Sequence, residues 1–169
     1  MMAMITENCP QGIRVDQAKY GLGVYATKPF MPEEFLGRVT GQLISDPNHE
    51  SDYCIDLNEE FSLEPAAPFR FLNHSCQPNC LLVHFEANPA DGIDQDEIWV
   101  ETIRPIQPGE QLTIDYSWPA EVAIPCGCES DQCRGWIVAP EQRHEIVDER
   151  PVDLADGESE PAEQPVAVA

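Results

Sequence analysis

The chain has 169 residues, 9 Lys and Arg against 31 Asp and Glu, and a formal charge of −22. That length suits one compact unit with its own core, and an apolar content of 42% excludes wholesale disorder. So negative a chain would be repelled by a phosphate backbone, which argues against direct nucleic-acid binding and for basic partners.

Short apolar runs separated by Gly, Pro, Asp and Asn predict strands over residues 13–15, 24–26, 35–40, 42–44, 53–57, 81–85, 98–103 and 111–115. The run EIWVETIR alternates with period two, and no window of twelve residues carries a helical stripe before the tail. From Pro140 onward there is no aromatic residue, with four prolines and nine carboxylates against two arginines. Such a segment cannot bury enough apolar area to offset chain entropy, so it predicts a disordered tail, with EQRHEIVDER as a candidate short helix. The expectation is a mostly β unit over about residues 8–138. No run approaches the roughly 20 apolar residues of a membrane-spanning helix, and MMAMITENCP lacks the features of a signal peptide. The protein is therefore expected to be soluble and intracellular, cytoplasmic or, in a eukaryote, nuclear, away from membranes. There its seven cysteines stay reduced and metal binding becomes the leading question.

Four local signals carry chemistry. In KYGLGVYA, Gly21, Leu22 and Gly23 let a backbone approach a ligand, although plain turn glycines explain the pattern more simply. RFLNHSCQPNC, residues 70–80, is rich in groups that bond backbone and is either a self-satisfied turn or a polar pocket wall. In QPGEQLTIDYSW a turn leads into a strand that ends near Tyr116, which by itself marks no site. CGCESDQC places Cys126, Cys128 and Cys133 within eight residues, enough to wrap one zinc ion but one ligand short of a tetrahedron. Cys76, Cys80 or a histidine could complete it.

Taken in order, KYGLGVYATKPF, YCIDL, RFLNHSCQPN, GEQLTIDY and CGCESDQCRG resemble the SET-domain protein lysine methyltransferases that carry a post-SET zinc segment. The resemblance implies small curved β-sheets with a pseudoknot-like threaded C-terminal segment. It divides the chain into a SET domain over 8–119, a post-SET zinc segment over 120–138 and an acidic disordered tail over 139–169. S-adenosylmethionine would lie against Tyr20, Gly21, Leu22 and Gly23, with Tyr53, Arg70, Asn73, His74 and Trp136 completing its site. Structural zinc would be held by Cys76, Cys126, Cys128 and Cys133. Tyr116 would be the catalytic tyrosine, and Val39 and Ile114 would line the lysine channel.

The implied chemistry is methyl transfer to the ε-amine of a lysine in a basic protein or peptide. That amine must be neutral, although a free lysine has a pKa of about 10.4. Desolvation in a narrow apolar channel and repulsion by the sulfonium both lower it. Three positions depart from the family pattern: Val39 stands for a second channel tyrosine, Ile114 for an aromatic residue, and Leu22 for a tryptophan. The first two make the channel roomier and less polar, which favours higher methylation states. The alternative readings are a weak or inactive SET-fold module that binds a basic partner, and a zinc-stapled scaffold with no cofactor.

Overall fold

The computed structural model describes residues 9–46, 48–49 and 51–146. Among them the chain forms twelve short strands and four 3₁₀ turns, with no α-helix. The strands are β1 (Ile13–Gln17), β2 (Leu22–Ala26), β3 (Phe35–Val39), β4 (Gly41–Ile44), β5 (Ile55–Asp56) and β6 (Ser62–Pro65). They continue as β7 (Asn73–His74), β8 (Cys80–Phe85), β9 (Glu97–Thr102), β10 (Gln111–Ile114), β11 (Ile124–Pro125) and β12 (Trp136–Ile137). Four small sheets result, ordered β1-β2-β10-β7, β3-β9-β8, β4-β6-β5 and β11-β12. The mostly β architecture of small sheets is thus what the chain adopts. No helix among the described residues is long and apolar enough to cross a membrane.

Alternation drives the larger strands. Every second residue of β9 is buried (Ile98, Val100, Thr102), as are Leu112 and Ile114 on β10. Val24 on β2 pairs with Leu112 on β10, and both are wholly buried, as are Val100 and Ile106. Each aliphatic side chain taken fully from water contributes about 1.5–3 kcal/mol.

Strand β10 positions the site. It runs antiparallel to β2 on one side and parallel to β7 on the other, pairing Thr113 with Asn73 and Ile114 with His74. The segment following β7 then clasps the same strand. Ser75 N donates to Ile114 O at 2.9 Å. Asn79, 2% exposed, donates from Nδ2 to Gln111 O and accepts at Oδ1 from Thr113 N, both at 2.8 Å. Tyr116 emerges two residues past the strand.

Several elements differ from the sequence expectation. The run 53–57 is extended only at β5, and β2 begins two residues earlier than expected. Strands β6, β7, β11 and β12 were not anticipated, because three have a single apolar residue or none and three are only two residues long. Their pairing comes from distant partners rather than from local pattern. The composition break near residue 139 does not end the packed chain. Val138 and Ala139 are buried, and Pro140–Glu145 forms a 3₁₀ turn. Ala120 N donates to Gln142 Oε1 at 3.0 Å, and Arg143 Nε to Arg134 O at 2.9 Å. The remainder of the expected tail, 147–169, lies outside the described residues.

Candidate active site and thiol cluster

A cavity of about 240 Å³ gathers most of the expected channel. Val39, Phe69, Leu72 and Ile114 form its apolar wall, all at most 9% exposed. Tyr53, Arg70, Tyr116 and Trp118 also line it, and Asp52, Cys54 and Asp56 stand at one side. Val39 closes β3 and Ile114 closes β10, so two sheets contribute one wall each.

Tyr116 is fixed in this cavity by its own hydroxyl, which donates to Leu72 O at 2.8 Å. Its ring packs 5.5 Å from His74 and 5.4 Å from Trp118. Burial, then the neighbouring Tyr53 and Asp52, push its phenol up to about 12. It stays neutral at any physiological pH, with its proton committed to Leu72 O.

His74 links this tyrosine to the cysteines. Its Nδ1 accepts from Tyr116 N at 3.3 Å, and burial holds its pKa below the usual value, with Arg134 adding to the effect and Asp115 opposing it. Asp115 Oδ1 also stands 3.5 Å from Nδ1 and would want a proton there, but the shorter Tyr116 bond decides the tautomer. Nε2 therefore carries the proton, and it lies 3.3 Å from Cys76 Sγ. Asp115 is held instead by Arg134, whose Nη2 donates to Oδ1 at 2.7 Å and to Val138 O at 2.9 Å.

The glycine strip has a shape that suits a ligand on one side. Gly21 has φ +76°, which favours glycine, and its missing Cβ faces open space. Asn73 Nδ2 donates to Leu22 O at 3.0 Å, so the expected cofactor residues 22 and 73 are joined. Tyr20 is 65% exposed and lies against Gly127, where any Cβ would overlap its hydroxyl. Lys19 Nζ bonds Glu129 Oε1 at 2.6 Å across the same junction. Arg70 has a structural role on one face: it bonds Glu64 and Pro65 O, and its guanidinium lies 3.9 Å from the Tyr53 ring centroid. Trp136 pairs with Pro125 between β12 and β11 and is not among the residues lining the cavity; Trp118 is.

The thiols converge. Ligand atoms of His74, Cys76, Cys126 and Cys128 all lie within 4.8 Å of one another. Cys76 Sγ and Cys126 Sγ are 3.7 Å apart, close to the edge of about 3.8 Å that a tetrahedron with 2.3 Å zinc–sulfur bonds requires. Cys133 lies beside Cys126. Each of the four expected sulfurs accepts a backbone N–H: Cys76 from Arg134, Cys126 from Cys128, Cys133 from Gly135, all at 3.4 Å, and Cys128 from Cys76 at 3.5 Å. Burial pushes the Cys126 and Cys76 thiols up. Burial acts on Cys128 too, but bonds from Cys76 N–H, Ser130 and Cys126 outweigh it and bring that thiol down to about 6. Cys9, Cys54 and Cys80 lie outside this group, and so does the expected ligand Cys133, in whose place His74 stands.

The sequence reading did not single out Trp118, Asn79, Arg134 or Asp115. All four stood inside motifs named above, but the partners of Asn79 on β10 and of Arg134 at Asp115 are distant in sequence and left no local trace.

A neutral, half-buried tyrosine just past the end of β10, over an apolar cavity and beside a cysteine cluster, marks the candidate site. The SET domain family model matches residues 21–117, and the chain belongs to that family. It is 32% identical over 126 residues to the histone-lysine N-methyltransferase ash1 of Drosophila melanogaster, covering 70% of this chain and 5% of that protein. It is 30% identical over 135 residues to the histone-lysine N-methyltransferase ASHR3 of Arabidopsis thaliana, covering 69% of this chain and 26% of that one. Among solved structures, KRYPTONITE in complex with mCHG DNA and SAH shares the fold at a TM-score of 0.61 and 20% identity, over 72% of this chain and 27% of that one. The chain thus spans between 5% and 27% of these proteins' lengths.

Proposed function

We propose that the chain is a protein-lysine N-methyltransferase that uses S-adenosylmethionine and acts on a basic protein. The observation that carries this reading is the single cavity that unites Val39, Ile114, Tyr53 and Tyr116, with the Tyr116 proton tied to Leu72 O. An apolar wall of this kind desolvates an ammonium and lowers its pKa toward the neutral amine. The Tyr116 oxygen, whose proton is committed elsewhere, accepts an N–H from that amine and aims its lone pair along the channel. Most of the rate comes from positioning in a dry site.

When bound, S-adenosylmethionine supplies the methyl group on a sulfonium. Residues 20–23 would hold it with Tyr53, Arg70, Asn73 and His74; the open face at Gly21 and the Asn73 bond to Leu22 suit such a ligand. Trp136 belongs to that set by resemblance, whereas Trp118 has the better placement against Tyr116. Cys76, Cys126, Cys128 and Cys133 would hold structural zinc, since all four sulfurs are prepared by N–H bonds and His74 Nε2 is a donor rather than a lone pair.

A groove of about 1030 Å³ adjoins the channel and shares Asp52, Cys54, Asp56 and Trp118 with it. Asp46, Asp52, Asp56, Glu59 and Glu60 line the groove, and among the described residues no lysine or arginine does. This wall suits residues flanking a lysine in a basic peptide and opposes contact with a nucleic-acid backbone. The histone-directed names of the relatives favour a chromatin setting, and thus a nucleus, over the cytoplasm expected from the sequence. The channel built on Val39 and Ile114 favours higher methylation states.

The test is transfer of labelled methyl from S-adenosylmethionine to histones and other basic proteins, with Tyr116→Phe as control. Lysine label that falls sharply in the variant is the expected result. Cofactor binding without transfer to any basic protein would favour the inactive binding module. Product masses limited to monomethyl-lysine would overturn the proposal on methylation state.

A further inference from the structure

Outside the site above, Glu64 on β6 collects a second set of metal-binding atoms. One of its oxygens, Oε1, is held by Arg70. The other, Oε2, accepts from the Cys54 thiol at 3.2 Å and lies 3.3 Å from His49 Nε2. All three ligand atoms fall within 4.8 Å of one another. The arrangement follows from register: β5 pairs Ile55 with Leu63 and Asp56 with Ser62, so the next step outward sets Cys54 opposite Glu64. His49 reaches the pair from the loop after β4.

These separations match those of a metal shell. Around a tetrahedral zinc ion with typical bond lengths, oxygen–sulfur and oxygen–nitrogen edges are about 3.3–3.5 Å. A thiolate and a carboxylate would balance a divalent charge, and imidazole completes a mixed donor set of the kind that zinc and cobalt accept. Arg70 on Oε1 fixes the carboxylate so that Oε2 is the oxygen presented, the part an outer partner plays in many metal sites.

We propose that His49 Nε2, Cys54 Sγ and Glu64 Oε2 bind a zinc-class divalent cation with one coordination position open. This is independent of the Cys76 cluster. The ion stands where the acidic groove meets the channel, because His49 and Cys54 line the first and Cys54 and Arg70 the second. It ties the loop that follows β4 to β6, and so couples the shape of the groove wall to metal supply.

The test is titration of the full chain, as purified with whatever metal it holds, with Co²⁺. The readouts are thiolate-to-cobalt charge-transfer absorption and native mass spectrometry. The wild type is expected to take up one more ion than either Cys54→Ser or His49→Ala, with an apparent affinity at least about tenfold above that of His49→Ala. His49 is exposed, so its variant folds even if Cys54→Ser does not. Equal metal counts in the wild type and both variants, or a charge-transfer intensity per chain that Cys54→Ser leaves undiminished, would overturn the proposal. If the Cys76 cluster were not a metal site, all three counts would fall together and the difference between them would remain.

Discussion

Strand β10 and the cysteine segment meet at Tyr116 but are held by different forces. Around β10 the packing is apolar: Val24, Val100, Ile106 and Leu112 are wholly sealed, and the strand is paired on both edges. From Tyr116 to Ile137 not one residue is buried. That stretch is held instead by N–H···S bonds, by Arg134 on Asp115 and by Lys19 on Glu129. Exposed ion pairs contribute about 0–1 kcal/mol, so polar contacts alone cannot hold such a segment. One half of the site is thus built by the hydrophobic effect, and the other, on the reading proposed above, by zinc at its cysteines.

The sharpest way to break this contrast is to remove the metal. A chelator, or Cys126→Ser, should abolish methyl transfer while far-ultraviolet circular dichroism and amide protection at Leu112 persist. Loss of both together would mean that the two regions fold as one. Next comes Tyr116→Phe, which should lower kcat about 10²–10³-fold with metal content unchanged, as steady-state kinetics and metal analysis would show.

A smaller effect tests the sheet side. Asn79→Ala leaves Gln111 O and Thr113 N without their partner inside the core. It should cost about 2–3 kcal/mol, lowering the melting temperature by about 5–10 °C in calorimetry. The smallest effect concerns Glu64, whose carboxyl is held down at about 2 by Ser51 and Arg70 against the opposing effect of burial. The folded value lies below the ordinary 4.5, so this contribution is present above that pH and is lost as pH falls toward 2. Glu64→Gln should flatten urea midpoints across that window and cost about 1 kcal/mol at neutral pH.

Much of the framework was legible because β9 and β10 bury alternate residues, which any period-two reading detects. Strand β6 buries alternate residues just as regularly, but its sequence SLEP has one apolar side chain and its pairing with β4 and β5 is set across loops. The channel residues Val39, Ile114, Tyr53 and Tyr116 were reachable only through resemblance, since they come from three separate segments. Arg70 shows the limit of position-by-position transfer: it lines the expected site, yet its visible partners are Glu64, Pro65 and the Tyr53 ring. Nothing local marked Arg134, because its value depends on Asp115 nineteen residues earlier.

The parallel pairing of β10 with β7 also sets the timing of synthesis. Thr113 meets Asn73 forty residues after Asn73 is made. Until then, the first strands have no central neighbour, and Cys76 has no sulfur partner. Closing so long a loop is slow, because its entropy is lost before the contacts repay it. A nascent chain therefore carries His74 uncovered until Tyr116 has been added and Cys76 until Cys126 follows, and a truncation before β10 leaves β2 and β7 each with an unpaired edge.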